Sequence, residues 1–216
     1  MIVSTITVGP FAENCHLLVD DASRAAVLVD PGDEGPRIVR AVRDTGAELQ
    51  AIWLTHAHLD HIGGIAAVLR EWTVPVHLHP LDRPLYDRGA QQAAAYGVPF
   101  ESPPAPDLEL AEGDRLSLGT HHFTVLHLPG HAPGHVAFFG HGLLFSGDVL
   151  FAGSVGRSDL PLSNPAHLEQ SLARLASLPP ETLVHAGHGP DTTIGEELQT
   201  NPFLAGVARG ARGARR

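Results

Sequence analysis

The chain has 216 residues, 43% of them hydrophobic, enough for one large core and a single domain expected over residues 1–208. Its 24 acidic residues against 14 basic ones give a formal charge of −10, which argues against a nucleic-acid or anionic-membrane binder. All the basic residues are Arg, so no Lys Schiff base or P-loop lysine is available, and the lone Cys15 excludes an internal disulfide and a four-thiolate zinc site.

The first predicted elements are strands at 2–8, 14–19 and 25–30, each β-branched or Leu-rich and bounded by Gly, Pro, Asp or Asn, forming an antiparallel meander. A helix follows at about 35–45. "LQAIWLT" (49–55) reads as a buried strand, and Ile65 to Trp72 as a helix opened by Gly63 and Gly64. Residues 80–106, Pro- and Ala-rich and ending in "ESPPAPD", predict a helical insert and a surface loop. Further strands are expected near 115–118, 122–128, 135–139 and 142–146. Asn164 and Pro165 form an N-cap with proline at N1, and Leu168, Leu172, Leu175 and Leu178 keep helical spacing as far as Pro179-Pro180. A strand "TLVHA" (182–186) and a closing helix near 193–208 complete the domain, and "RGARGARR" (209–216) is expected to be a disordered tail. The N-terminus lacks a basic leader and no apolar run approaches the ~20 residues of a membrane span, so a cytoplasmic protein is expected.

The order contains a weak repeat. In the first half a strand pair ends in "VLVDPG", and a helix and a second strand then lead to "THAHLDH"; in the second half "LLFSGD", a helix and a strand lead to "HAGHGP". Asp30 and Asp148 thus leave one kind of strand end, His56 and His188 another. Two such sheets packed face to face would gather these ends at one rim.

"LTHAHLDHIGG" (54–64) carries the densest chemistry. In an extended segment His56 and His58, two residues apart, point the same way and can chelate one cation, while Asp60 and His61 on the following turn can face a second. A His-rich surface turn is the bland alternative. "LPGHAPGH" presents His131, "FSGDVL" presents Asp148 and "AGHGP" presents His188, each on a Gly-flanked turn after a strand. Asp30 is either a partner that aligns the His loop or a turn cap before Pro31-Gly32. His135, four residues after His131, is a further candidate support, and Cys15 in "NCHLLV" reads as a small buried hydrophobe.

With these motifs in order from Asp30 to Asn201, the chain resembles the metallo-β-lactamase superfamily, and within it the short glyoxalase II-like (hydroxyacylglutathione hydrolase-like) hydrolases. "GDVLFAGSVGRSDLP" and "GHGPDTTIGEE" look like that subgroup in particular. The resemblance implies an α+β fold, a four-layer αβ/βα sandwich of two mixed β-sheets with helices on the outer faces. It implies two divalent cations, Zn or else Fe or Mn. His56, His58 and His131 would hold the first and Asp60, His61 and His188 the second, with Asp148 bridging them; Asp60 and Asp148 are the expected catalytic carboxylates. Arg157 stands where longer members have a Lys and is the candidate contact for a substrate carboxylate, with a structural ion pair as its alternative.

The expected reaction is hydrolysis of a thioester such as S-lactoylglutathione, because paired cations generate hydroxide at neutral pH and polarise the carbonyl without a Ser or Cys nucleophile. The partner is then a small-molecule thioester, with no nucleic acid and no membrane. The rival is a mononuclear-iron persulfide dioxygenase on the same scaffold. Gly189 and Pro190 follow His188 where longer members place a glutathione-binding tyrosine, so the thiol carrier stays open.

Overall fold

In the computed structural model, which describes residues 1–204 and 206, two six-stranded sheets face each other. The first holds β1 (Ile2–Val8), β2 (Glu13–Val19), β3 (Ala25–Val29), β4 (Glu48–Trp53), β5 (Val76–Leu78) and β6 (Leu108–Glu109) in chain order. Its first three strands are antiparallel and the rest run parallel from β3 onward, so the sheet is mixed. The second sheet contains β7 (Arg115–Leu118), β8 (His121–His127), β9 (Val136–Gly140) and β10 (Leu143–Gly147). A small separate hairpin, β11 (Leu150–Phe151) and β12 (Ser154–Val155), follows, and then β13 (Leu183–Ala186) and β14 (Thr192–Thr193) complete the second sheet. There β10 pairs in parallel with β13 while the other neighbours are antiparallel.

Alternation of apolar residues along the strands builds the layers, because successive side chains leave opposite faces. On β3, Ala25, Val27 and Val29 pack between the sheets with Trp53, Phe123, Phe138 and Phe145, whereas Ala26 and Leu28 face the helices outside the first sheet. Those helices are α1 (Gly35–Thr45), α2 (Leu59–Ile62) and α3 (Ile65–Glu71), followed in the insert by α4 (Arg83–Tyr86) and α5 (Gly89–Tyr96). On the far side, Leu126, Leu144 and Val184 pack under α6 (Pro165–Leu175) and α7 (Ile194–Thr200). The result is the expected four-layer α+β sandwich, helices outside and two mixed sheets within.

Several boundaries differ from the sequence expectations. The leucine spacing extends to Leu178, but α6 stops at Leu175 and Leu178 reaches the core from a turn instead. The expected single closing helix is interrupted at Asn201, because Pro202 has no N–H to continue the ladder. Most of what was expected beyond Leu204, including the 209–216 tail, lies outside the described residues. The repeat is visible as two parallel crossovers, β3–α1–β4 and β10–α6–β13, which place the C-terminal ends of all four strands at one rim. Among the described residues no helix is long and apolar enough to cross a membrane.

Candidate metal centre

At that rim the end of β3 organises the loop after β4. Asp30 adopts a left-handed conformation (φ 50°), which an Asp tolerates better than most residues, and turns its carboxylate inward. One oxygen accepts from the Thr55 N–H at 2.7 Å, and the other accepts from Thr55 Oγ1 at 2.6 Å and from His61 Nδ1 at 3.0 Å. The Thr55 hydroxyl has given its proton to Asp30, so it accepts from His56 Nδ1 at 3.0 Å and leaves His56 Nε2 bare. Asp30 therefore orients two imidazoles at once, His61 directly and His56 through Thr55.

The other histidines are set the same way. His131 Nδ1 donates to the Arg157 carbonyl at 2.8 Å, and His188 Nδ1 donates to the Phe11 carbonyl at 3.1 Å. Each Nε2 is thereby left as the inward-facing atom, the second-partner arrangement expected of metal-ligating imidazoles. His58 turns its Nδ1 to within 2.8 Å of His131 Nε2.

The inward atoms fall into two groups. His56, His58 and His131 each offer one ligand atom within 4.8 Å of the others, and Asp60, His61 and His188 do the same. Asp148 stands between them: Oδ1 lies 3.4 Å from His61 Nε2, and Oδ2 lies 3.5 Å from both His131 Nε2 and His188 Nε2. His56 Nε2, His61 Nε2 and Asp148 Oδ1 are buried with no hydrogen-bond partner. Buried polar atoms are rarely left so, and three within one cluster of candidate ligands fit cations as the missing partners.

Protonation agrees. Burial holds His56 well below the ordinary imidazole range, His58 at about 3, and His131 below its usual value, so all three are neutral donors. Burial opposes the charges of Asp60 and Asp148, but His61 outweighs it and keeps both carboxyls below the usual range. Burial also opposes the cation of His188, yet its hydrogen bonds to Asp148 and Asp60 prevail and raise it to about 9; His61 is raised well above its ordinary value by the same carboxylates. In the metal-free protein at pH 7.5 these two imidazoles hold protons that an incoming cation must displace. Loading the apoprotein is therefore expected to release close to one proton more per chain at pH 7.5 than at pH 10, where His188 is already largely neutral. Calorimetry in buffers of different ionisation enthalpy checks this, and a release that does not change over that range contradicts it.

The remaining sequence candidates are placed nearby. His135 is buried, stacks on the His56 ring at 4.9 Å, and accepts the Asp148 N–H on Nε2 at 3.0 Å. Gly147 (φ 50°) makes that approach possible, since a Cβ there would lie 2.4 Å from Thr55 Oγ1 and 2.7 Å from His135 Nε2. Arg157 touches the centre through its carbonyl, while its exposed guanidinium pairs with Asp159 at 2.9 and 3.0 Å. Beside these candidate ligands a cavity of about 670 Å³ opens between Phe11, Tyr96, Phe151 and Leu162, with Arg88 and Arg157 among its lining residues. Cys15 is fully buried and burial pushes its thiol up, which removes it as a nucleophile.

Two supports escaped the sequence reading. Asn14 donates from Nδ2 to the carbonyls of Ala186 and Gly189 on either side of His188, at 3.1 and 2.8 Å. Glu13 is fully buried 3.8 Å from His61 Nδ1, neither oxygen has a partner, and burial pushes its carboxyl well up. A charged residue at the head of the apolar run "ENCHLLV" was the available signal.

A two-sheet sandwich with imidazoles and carboxylates gathered at the strand ends defines a class of metal-binding proteins. The chain belongs to the metallo-β-lactamase superfamily, whose family profile matches residues 8–188. It is 37% identical to the hydroxyacylglutathione hydrolase GloC of Haemophilus influenzae, covering 94% of this chain and 98% of that protein. The crystal structure of TTHA1623 in a di-iron-bound form superposes with a TM-score of 0.87 at 51% identity, covering 93% of this chain and 100% of that one. The BLEG-1 B3 metallo-β-lactamase superposes with a TM-score of 0.88 at 38% identity, covering 94% and 99%.

Proposed function

We propose that this protein is a thioester hydrolase working with two divalent cations, Zn or else Fe or Mn. The observation that carries the reading is the placement of Asp148, whose two oxygens face the His131 and His61 donor sets from between them. The di-iron TTHA1623 structure and the hydrolase name of the Haemophilus relative support it. Bound there, the cations would make a water nucleophilic at neutral pH and polarise the scissile carbonyl.

The chain's own residues do the rest. Asp60 and Asp148, held ionised, accept and orient the attacking water's protons. The apolar walls of the cavity exclude bulk water from the acyl group and leave the carrier at the arginine-bearing rim. A leaving thiolate needs little protonation, so the cleft requires no strong side-chain acid.

The test is a panel of acyl-thioesters, with and without glutathione as carrier, run with metal analysis and oxygen uptake. Turnover with two cations per chain and no oxygen consumption is the expected result; oxygen uptake with one iron assigns the dioxygenase chemistry instead. A β-lactam arm belongs in the panel because of the BLEG-1 likeness. If Arg157 reads a carrier carboxylate, Arg157→Ala raises KM about tenfold or more with kcat within a few-fold, since a charge-assisted contact contributes roughly 1.5–3 kcal/mol equally in ground and transition states. An unchanged KM assigns the guanidinium to Asp159 alone.

A further inference from the structure

The insert between β5 and β6 reaches into the metal centre without supplying any ligand to it. Asp82 is the last residue of a short 3₁₀ turn (Pro80–Asp82) and is completely buried. One carboxylate oxygen accepts the Ala57 N–H at 3.0 Å, and the other accepts the Gly134 N–H. Those two donors are 25 and 52 residues away in sequence. Ala57 sits between His56 and His58, and Gly134 sits on the turn that carries His131 and His135. One carboxylate thus ties together the two loops that supply all three donors of the first group.

Gln92, on α5, braces the same place from the other side. Its Nε2 donates to the Ala57 carbonyl at 3.2 Å and to the Leu85 carbonyl at 2.9 Å, and its Oε1 accepts the Leu59 N–H at 3.2 Å. Ala57 is therefore held at both its N–H and its C=O by insert residues. Gly134 must be glycine for the contact, since a Cβ would lie 2.6 Å from the Asp82 nitrogen. Burial pushes the Asp82 carboxyl up to about 6 in spite of the two N–H donors on it. The fold keeps a carboxylate where an apolar side chain of similar volume would cost less to bury, which calls for a role beyond filling space.

We infer that Asp82 and Gln92 form a clamp that sets the spacing of the His56/His58 loop against the His131 loop, and so the affinity of the cation those three histidines hold. Both act as positioning residues, and the inference rests on the reading of His56, His58 and His131 as one donor set. The clamp acts on this set because Ala57 and Gly134 adjoin its ligands, whereas His188 is held by Phe11 and Asn14 on the opposite strand.

Zinc titrations of the apoprotein, followed by the ¹H–¹⁵N signals of individual histidine rings, test it. In the unaltered protein the rings of His56, His58 and His131 shift together; if they do not shift, the donor-set reading fails before the clamp is in question. With Asp82→Asn, the zinc concentration needed to shift those three rings rises roughly 10- to 100-fold, the range for losing a support behind a ligand, while His61 and His188 stay within threefold. Gln92→Ala, at a partly exposed position, gives a smaller change in the same three rings and keeps the test decisive should Asp82→Asn fail to fold. Equal changes in both groups, or none in folded Gln92→Ala and Asp82→Asn, overturn the clamp. So does an unfolded Asp82→Asn together with an unaltered Gln92→Ala.

Discussion

Asp148→Asn protein is expected to fold with near-normal yield and to hydrolyse the proposed thioester substrate at least about 100-fold more slowly, retaining fewer than two cations. The exchange is isosteric, and the backbone of residue 148 is pinned independently by His135 Nε2 at 3.0 Å, so the loop stays in place. What disappears is the one carboxylate whose oxygens face both donor sets. The supports behind ligands typically contribute 10- to 100-fold in activity or metal affinity, and a group shared by two cations contributes more than a support. Metal analysis beside steady-state kinetics decides it: near-normal turnover with two cations bound would show that Asp148 bridges nothing.

The largest stability effect is expected at the sheet interface. Trp53 is 1% exposed and packs against the Phe123 ring at 5.8 Å and the Phe138 ring at 5.4 Å, between the two sheets. Trp53→Ala leaves a cavity that close-packed neighbours fill only in part, at a cost of about 3–5 kcal/mol. For a chain of this length that lowers Tm by roughly 6–20 °C. Urea titration of the metal-free protein gives the number without interference from bound cations, and a loss below about 1 kcal/mol would mean that the interface relaxes around the gap.

The legible part of this protein is the part whose chemistry restricts residue type. Candidate metal ligands at strand ends are His or Asp on tight turns, so "THAHLDH", "PGHAPGH", "SGD" and "AGHGP" stand out, and the two crossovers can be read from the order of the elements around them. Asp82, Gln92 and Asn14 are each one polar residue that becomes a support only when a partner 25 to 175 residues distant arrives beside it, a relation with no local period. The short strands β5, β6, β11, β12 and β14 were missed because two or three residues cannot show alternation. The one-turn α2 hid inside the motif itself, where Leu59–Ile62 were read only as a turn carrying ligands.

The bond from His188 to the Phe11 carbonyl spans 177 positions of the chain, and the Asn14 side chain meets Gly189 across 175. A ribosome makes β1 and β2 roughly 10–35 s before their partners in this corner at ordinary rates of synthesis. Until then the Asn14 Nδ2 donors and the Phe11 carbonyl lack these partners, and the His188 side of the candidate centre is missing. The corner therefore closes only after β13 and the His188 loop are made, and a cation held there as proposed would join strands made early to a loop made 175 residues later.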